Sequence, residues 1–425
     1  MSPNLTYLFD NPDESGLVVQ VTTTRLQPGW YLLGPAFVAA IAYVDPGNVA
    51  ANISAGAKFG FLLVWVIVLA NVMAGLVQYL SAKLGLVTGQ SLPEAVGDRM
   101  RRRTRLAYWV QAELVAMATD LAEVMGGAIA LRLLFGLPLL IGGVITGVVS
   151  MLLLSVQDRR GQRVFERVIT GLLLVIAIGF LTSLFVETPP PGVVLGGLVP
   201  RFQGSESVLL AAAMLGATVM PHAVYLHSGL ARDRHGRIEP GPRRRMLLRV
   251  TRWDVGMAML VAGAVNLSML LVAATNLQGR DNTDSIEGAH TAVRDTLGPT
   301  VALFFAIGLL ASGLASTSVG AYAGAMIMQG LLHRSIPLLL RRLITLIPAL
   351  LILTIGLNPS RALVFSQVVL SFGIPFALIP LIRLTSDRAF MGGDTNHRLT
   401  TAFGWIVTGL ISLLNVVLLY LTVTG

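Results

Sequence analysis

Long apolar stretches separated by short polar loops make up most of this chain. A helix needs about 20 apolar residues to cross the hydrocarbon core of a bilayer. The pattern therefore predicts an all-α polytopic membrane protein with about eleven transmembrane helices. The predicted spans have the approximate limits 29–54, 59–83, 106–132, 138–156, 167–186, 206–231, 250–275, 298–331, 341–357, 361–384 and 401–423.

Composition and the placement of charge agree with a membrane protein. Of the 425 residues, 54% are hydrophobic and 12% are charged, whereas a soluble domain has about 25% charged residues. The net charge of +9 does not indicate a nucleic-acid partner, because the basic residues cluster in short loops between apolar stretches. All basic loops fall on one side if there are eleven spans and the N-terminus is inside. We therefore expect a cell (plasma or inner) membrane protein with a cytoplasmic N-terminus and the C-terminus outside.

Two of the predicted spans are interrupted by proline beside residues that can bind a metal ion. Asp45-Pro46-Gly47-Asn48 interrupts the first span, and Ala217-Thr218-Val219-Met220-Pro221-His222 interrupts the sixth. Irregular backbone and charged side chains are tolerated at membrane depth only where they line a protein-buried or watery site. Paired broken spans in the two halves of a chain are typical of a transporter's substrate site.

The spacing of the two breaks also indicates an internal repeat. Broken helices five spans apart imply two five-helix units, and because five is an odd number the units have opposite topology. We expect the first five-helix repeat over 29–186 and the second, inverted repeat over 206–384. The span 401–423 is an additional eleventh helix. The polar segment 1–28 lacks a signal-peptide pattern and is interpreted as an uncleaved cytosolic N-terminal tail.

Each break supplies a main-chain oxygen that a cation can use. Proline lacks the N–H that would bond the carbonyl four residues earlier in a helix. Pro46 therefore frees the carbonyl of Ala42, and Pro221 frees the carbonyl of Ala217. A buried carbonyl without a hydrogen bond needs another partner, and a metal ion is one such partner.

Side chains at the breaks add a mixed set of ligands. Asp45 offers a charged oxygen, Asn48 an amide oxygen and Met220 a thioether sulfur. Hard oxygens suit magnesium and calcium, whereas a thioether favours transition ions such as Mn2+ or Fe2+. The absence of cysteine excludes thiolate ligands and disulfides. In the alternative interpretation, Asp45 only caps the second half-helix and Met220 only fills the core.

Ionisable residues inside the predicted spans indicate a route for protons. Asp120 and Glu123 lie one turn apart on one face of the third span, and two carboxylates this close do not easily both ionise in a low dielectric. His222 follows the second proline break, and an unperturbed histidine titrates near neutral pH. The alternatives are that structural arginines neutralise the carboxylate pair and that His222 is a satisfied structural group.

Further polar residues in or beside the spans are candidates for the same route or for the metal shell. Glu113 lies lower on the third span, where it can pair with Arg234. Arg341 and Arg342 open the ninth span, either as cytosolic anchors or as counter-charges for the carboxylates of the third span. Gln367 interrupts the apolar run of the tenth span, where it either completes the metal shell in one conformation or bonds a neighbouring helix.

Together these residues resemble the natural-resistance-associated macrophage protein (Nramp) family of divalent metal transporters, and within it the bacterial proton-coupled manganese transporters. The resemblance runs from Asp45-Pro46-Gly47-Asn48 through Met220-Pro221-His222 to the tenth span. It implies a LeuT-type fold with two inverted five-helix repeats and discontinuous helices 1 and 6. One departure is Ala223, where the family often has asparagine.

The resemblance also implies roles for individual residues. The implied metal ligands are Asp45, Asn48, Met220 and the carbonyl of Ala217, joined in particular states by the carbonyl of Ala42 and by Gln367. The implied proton route consists of Asp120, Glu123 and His222, extended or gated by Glu113, Arg234 and Arg342.

We therefore expect a secondary transporter that imports Mn2+ or Fe2+ together with protons by alternating access. The alternatives are a carrier of Mg2+ or Al3+ on the same fold and an uncoupled metal uniporter. An intramembrane metalloenzyme is disfavoured, because the chain has no His-Glu-x-x-His motif. The expected partners are divalent metal ions, protons and the lipid bilayer, with no resident cofactor, no nucleic acid and no protein partner.

Overall fold

The computed structural model describes residues 34–424, apart from 187, 280–284, 335 and 356–358. Regular structure in the described residues is helical, and no strand occurs among them. The predicted cytosolic tail at 1–28 lies outside the described residues. So does the beginning of the first predicted span, up to residue 33.

The described chain forms seventeen α-helices, several of which are short segments between the spans. In chain order they are α1 (Pro35–Ile41), α2 (Pro46–Phe59), α3 (Val64–Thr88), α4 (Leu92–Gly97), α5 (Arg102–Phe135), α6 (Leu139–Arg160), α7 (Gln162–Val186), α8 (Pro191–Gly196), α9 (Gly204–Thr218), α10 (Pro221–His235), α11 (Pro242–Asn276), α12 (Ile286–Leu297), α13 (Pro299–Leu332), α14 (Leu338–Ile355), α15 (Pro359–Ser386), α16 (Arg388–Met391) and α17 (Arg398–Thr424). Short 3-10 turns occur at Ala42–Val44, Gly60–Leu63 and Gly392–Asp394.

Nine helical stretches of the described chain are long and apolar enough to cross a membrane. The first of them, Pro46–Thr88, contains both α2 and α3, which are separated where Gly60 adopts a left-handed conformation (φ 57°). The apolar helix α14 (Leu338–Ile355), which is not one of the nine, overlaps the predicted span 341–357, whose last two residues lie outside the described part of the chain. Each predicted span thus has a helical counterpart, and the prediction of an all-α polytopic membrane protein is confirmed. The repeat limits 29–186 and 206–384 stay predictions.

Both predicted helix breaks are present. α1 continues through the 3-10 turn Ala42–Val44 and ends at Asp45, whose extended backbone (φ −70°, ψ 167°) separates it from α2. α9 ends at Thr218, and Met220 is extended (φ −70°, ψ 124°) before α10 begins. In both cases the following helix begins with proline, which fits the first helical position because that N–H has no partner within the helix.

The helix pair α5 and α13 packs more extensively than any other pair of described helices. Glycines allow the close approach: a Cβ added to Gly313 would lie 2.8 Å from the backbone nitrogen of Gly127. Small residues are the usual means of packing helices closely in a membrane, where the hydrophobic effect does not drive helices together. The packing places the acidic face of α5, with Asp120 and Glu123, in the protein interior.

Candidate metal and proton site

The two helix breaks meet through the side chain of Asn48. Its Nδ2 donates to Oδ1 of Asp45 at 2.7 Å and to the carbonyl oxygen of Ala217 at 2.9 Å. The same amide nitrogen is therefore hydrogen-bonded to one oxygen from each break. A cation between these two oxygens would occupy the position of the amide nitrogen, and Asn48 would then have to turn to present its own oxygen.

Asp45 also caps the second half of the broken helix. Its Oδ1 accepts a hydrogen bond from the backbone nitrogen of Asn48 at 2.8 Å, as the capping interpretation predicted. The second carboxylate oxygen, Oδ2, lies 3.5 Å from Nε2 of Gln367. Capping uses one oxygen of Asp45, so the other oxygen is available to a different partner.

Gln367 approaches the first break because residue 47 is glycine. A Cβ added to Gly47 would lie 1.7 Å from Nε2 of Gln367, far inside van der Waals contact. Oε1 of Gln367 is buried and has no hydrogen-bond partner among the described residues. A buried polar atom of this kind is costly without a partner, and a bound cation is one partner that an amide oxygen can take.

We expect Gly47→Ala to displace Gln367 from Asp45 and to weaken Mn2+ binding by about tenfold, the loss equivalent to ~1.4 kcal/mol. The added methyl group occupies the space of the Gln367 amide. Mn2+ affinity measured by calorimetry on the purified protein would check this. A matched control is Gly75→Ala, since the nearest atom to a Cβ at Gly75 is 3.9 Å away. Equal affinity of the Gly47→Ala variant and the wild type would contradict the prediction.

The remaining predicted metal ligands lie in the same buried region. Met220 is fully buried and belongs to the hydrophobic cluster that also contains Ala42, at the start of the first 3-10 turn. Thr218, the last residue of α9 before the second break, was missed by the sequence analysis: its hydroxyl is 3.4 Å from Oδ1 of Asn48. Asp45, Asn48, Met220 and Gln367 are each 0% exposed. The site is therefore closed to solvent in this conformation.

Asp45 is the single carboxylate of this site, and the other candidate ligands are neutral. No group of three or more His, Cys, Asp or Glu side chains that could hold a metal occurs in the part of the chain that the structure describes. One carboxylate with neutral oxygens and a thioether makes a weaker site than a cluster of charged ligands.

Asp120 on α5 forms a buried ion pair with Arg342 on α14. The distance from Nη1 of Arg342 to Oδ1 of Asp120 is 2.8 Å, and the arginine side chain is completely buried. Arg342 also donates through Nε to the hydroxyl of Ser150 at 3.1 Å. Of the two interpretations of Arg342, the structure places it as the counter-charge of Asp120 and not as a surface anchor.

Glu123 lies one turn further along α5 and is completely buried. Neither of its carboxylate oxygens makes a hydrogen bond to another described residue. The nearby hydroxyl of Ser316 donates to the carbonyl of Ser312 at 2.7 Å instead. The next turn of α5 contacts the first break directly, since a Cβ added to Gly126 would lie 2.0 Å from Cβ of Pro46.

His222 is buried at the start of α10, beside α5. Its Nδ1 lies 3.5 Å from the hydroxyl of Thr119, and its Nε2 has no hydrogen-bond partner among the described residues. His227 differs, because its Nδ1 is 2.7 Å from Oε1 of Gln78. The Nε2 of Gln78 in turn donates to the hydroxyl of Tyr43. His227 is thus hydrogen-bonded in a network between helices, whereas His222 retains an unused nitrogen.

The predicted pairing of Glu113 with Arg234 is wrong. Glu113 pairs with Arg341, whose Nη2 lies 2.6 Å from Oε1 of Glu113. Arg234 forms an ion pair with Glu166. Glu113 on α5 faces the start of α14, whereas the end of α10 carries Arg234 towards α7. Which arginine pairs with which glutamate depends on how the helices pack. The positions of charged residues along the sequence do not give that packing.

Two buried acids beside the start of α1 were missed by the sequence analysis. Asp254 accepts hydrogen bonds from the backbone nitrogens of Gly34 and Ala36, each at 3.1 Å. Glu166 and its partner Arg234 lie against the same position, within 2.8 Å of a Cβ added to Gly34. Asp254 could have been identified as a candidate from the sequence, since it is an acidic residue within the predicted span 250–275.

Comparison with solved structures defines the class of protein. The chain superimposes on the nucleobase-cation-symport-1 family transporter Mhp1 with a TM-score of 0.58 at 17% identity, covering 91% of this chain and 90% of that chain. This likeness shows a LeuT-type fold, in which the first and sixth spans are the discontinuous ones, α1 with α2 and α9 with α10. The protein is therefore a multi-pass membrane protein with a LeuT-type fold.

The family follows from closer matches. The family described as "Natural resistance-associated macrophage protein-like" matches residues 36–421. The chain is 74% identical over 421 residues to the divalent metal cation transporter MntH of Mycobacterium tuberculosis, covering 99% of this chain and 98% of the relative. A crystal structure of the Eremococcus coleocola manganese transporter superimposes with a TM-score of 0.80 at 32% identity, covering 90% and 85% of the two chains. This chain belongs to the Nramp family, and the relatives named here are transporters and not enzymes.

Proposed function

We propose that this chain is a secondary active transporter that imports divalent transition-metal ions, such as Mn2+ and Fe2+, together with protons by alternating access. The observation that carries the proposal is the meeting of the two helix breaks. Asp45 Oδ1 and the carbonyl oxygen of Ala217 lie 2.7 and 2.9 Å from one amide nitrogen, in a fully buried position. The similarity to a divalent metal cation transporter and to a manganese transporter supports the same substrate class.

The ligand set fits transport better than storage of the ion. A carrier must bind its ion strongly enough to select it and weakly enough to release it. The proposed first shell has the single carboxylate of Asp45, with Asn48, Met220 and the Ala217 carbonyl as neutral ligands, joined by Ala42 and Gln367 in particular conformations. The metal ion is the transported substrate, and no resident cofactor is part of the proposal.

Met220 is proposed to select transition ions over calcium and magnesium. A thioether sulfur binds hard ions weakly and softer transition ions more strongly. We expect Met220→Ala to admit Ca2+ and Mg2+ while weakening Mn2+ uptake by about threefold or less, because one neutral ligand of several is lost. Competition between Ca2+ and Mn2+ in a flux assay would check this. The matched control is Met214→Ala, because Met214 is a fully buried methionine in α9, before the second break. Unchanged exclusion of Ca2+ in Met220→Ala would contradict the role of the thioether.

The proton route is proposed to run along α5 and its partners. Asp120, held by Arg342, lies one turn from Glu123, and the turn after Glu123 contacts Pro46 at the metal site. Glu123 can take up and release a proton without breaking a hydrogen bond to a described residue. His222 has an unused nitrogen between this route and the second break. Glu113, with its partner Arg341, and Arg234 are proposed to extend or gate the route.

Alternating access is proposed because the site is closed and contacts on both sides of it can open. Asp254 holds the start of α1, beside the ion pair of Glu166 with Arg234. At the other end of the broken helices, Lys58 of α2 pairs with Glu206 of α9. Movement of the five-helix units 29–186 and 206–384 against each other would release one set of contacts at a time. The basic loops support a cell membrane location with the N-terminus inside and the C-terminus outside.

The test is flux into proteoliposomes that contain a metal-sensitive dye and a pH-sensitive dye. Mn2+, Ca2+ and Mg2+ are offered in turn under an inward-negative potential. We expect Mn2+ entry with acidification of the lumen and no entry of Ca2+ or Mg2+. Mn2+ entry without acidification would identify an uncoupled uniporter and reject the proton route. Mg2+ entry equal to Mn2+ entry would reject the substrate assignment.

A further inference from the structure

Helix α15, which carries Gln367, contains two prolines in its interior, Pro375 and Pro380. Each proline removes the hydrogen bond to the carbonyl four residues earlier, so the carbonyls of Ser371 and Phe376 lose their helical partners. Prolines in membrane helices are tolerated when neighbouring helices satisfy the freed carbonyls, and they mark positions where a helix bends. The partners of these two carbonyls therefore control how α15 can bend.

Asn415 on α17 satisfies the first freed carbonyl. Its Nδ2 donates to the carbonyl oxygen of Ser371 at 2.7 Å. Its Oδ1 lies 2.6 Å from the hydroxyl of Ser371, whose single proton is shared between this oxygen and the carbonyl oxygen of Val368 at 2.7 Å. Both residues are buried. α17 lies outside the two predicted five-helix repeats, so these contacts of Asn415 connect the additional eleventh helix to the helix that carries Gln367.

Tyr108 on α5 satisfies the second freed carbonyl. Its hydroxyl donates to the carbonyl oxygen of Phe376, and the same hydroxyl lies 2.8 Å from the hydroxyl of Tyr225 on α10. A tyrosine hydroxyl has one proton. Since Tyr108 donates its proton to Phe376, Tyr225 is the donor to Tyr108. The turn of α15 that precedes the second proline is thereby connected to α5 and to α10, the second half of the broken sixth span.

The turn of α15 between Gln367 and Ser371 is held between two helices. On one side a Cβ added to Gly216 of α9 would lie 2.1 Å from the carbonyl oxygen of Gln367 and 3.0 Å from Cβ of Ser371. On the other side Asn415 of α17 is hydrogen-bonded to Ser371. The position of Gln367 beside Asp45 thus depends on contacts made one turn away, at the freed carbonyl of the first proline.

We propose that Pro375 and Pro380 form a hinge in α15, and that Asn415 and Tyr108 are positioning residues that hold Gln367 against the metal site. Release of the contacts that Asn415 and Tyr108 make with α15 lets the half of α15 that precedes Pro375 move, and Gln367 moves away from Asp45 with it. This inference rests on the proposed function, since Gln367 is assigned there to the metal shell in particular conformations.

The test measures Mn2+ affinity of the purified full chain by calorimetry. Asn415→Leu removes the hydrogen bond to the carbonyl of Ser371 and the contact with its hydroxyl, and we expect an affinity about tenfold weaker than the wild type, equivalent to ~1.4 kcal/mol. In a Gln367→Ala background the same substitution is expected to have no effect, because Asn415 acts through Gln367. The matched control is Thr408→Val: Thr408 is also buried in α17 but bonds to the carbonyl of Gly404 in its own helix.

A rescue experiment separates positioning from general stability. Pro375→Ala supplies the backbone N–H at residue 375 that can donate to the carbonyl of Ser371, so we expect Asn415→Leu to leave Mn2+ affinity unchanged in that background. Pro375→Ala alone is expected to slow Mn2+ flux several-fold with little change in affinity, because the hinge stiffens while the bound geometry is kept. If Asn415→Leu does not fold, Tyr108→Phe removes the second bond and provides the same comparison.

The outcomes distinguish this inference from the proposed function. Absence of Mn2+ binding and flux in the wild type would reject the proposed function. Normal wild-type binding with unchanged affinity in Asn415→Leu and in Tyr108→Phe would reject the positioning role alone. An affinity loss in Asn415→Leu that persists in the Gln367→Ala background would also overturn it, because the effect would then not pass through Gln367.

Discussion

Replacement of Asp45 by asparagine is expected to abolish metal transport while the protein stays folded. Asparagine keeps an oxygen that can cap the backbone nitrogen of Asn48 but removes the negative charge. Two unit charges 4 Å apart attract by about 4 kcal/mol at an effective dielectric constant of about 20. Since Asp45 is the single carboxylate among the proposed ligands, we expect Mn2+ affinity and uptake to fall by at least about a hundredfold.

The measurement is Mn2+ uptake by proteoliposomes, together with thermal unfolding of the purified variant. Glu239→Gln is the matched control, because it neutralises an acidic residue whose side chain is 81% exposed. Wild-type unfolding temperature with lost uptake is the expected combination. Uptake by Asp45→Asn close to that of the wild type would mean that the carboxylate caps α2 and does not bind the ion.

Arg342→Gln is expected to destabilise the protein by about 3–5 kcal/mol, because it leaves the buried carboxylate of Asp120 without its ion-pair partner. The double variant Asp120→Asn with Arg342→Gln removes both charges and is expected to recover most of this stability. If the proton route is correct, the double variant imports Mn2+ with little or no acidification. Thermal unfolding in detergent and dual-dye flux would check the two parts separately.

Two results would contradict this prediction. Equal stability of Arg342→Gln and the wild type would mean that the ion pair at 2.8 Å contributes little to folding. Full acidification by the double variant would remove Asp120 from the proton route. Arg341→Gln serves as the comparison, since its partner Glu113 is more exposed than Asp120 and is expected to tolerate the loss of its partner better.

The spans and the breaks could be predicted from the sequence because a lipid environment allows few backbone solutions. Every backbone polar group in the hydrocarbon region must be satisfied within the chain, so long apolar stretches become helices. Proline acts locally, through the missing N–H and a fixed φ. The breaks before Pro46 and Pro221 were therefore predictable from residue identity alone, and the structure has both.

Side-chain partners could not be predicted in the same way. The pairing of Glu113 with Arg341 and of Arg234 with Glu166 depends on how α5, α7, α10 and α14 are rotated and packed. The role of Asn415 is a similar case, because nothing near it in the sequence indicates that it contacts Ser371. Contacts between residues distant in the chain depend on how each helix is rotated about its axis when the helices pack. The hydropathy pattern carries little information about that rotation.

The amino-acid sequence by itself determined the all-α polytopic class, the two proline breaks and the types of ligand that the breaks offer. These properties follow from local backbone chemistry and from the cost of polar groups in lipid. Only the tertiary structure decided that Asn48 joins Asp45 to Ala217, that Gln367 reaches Asp45 over Gly47, and that Asp120 pairs with Arg342. The physical reason is that each of these contacts joins separate helices, whose mutual rotation and depth are set by the packing of the whole chain.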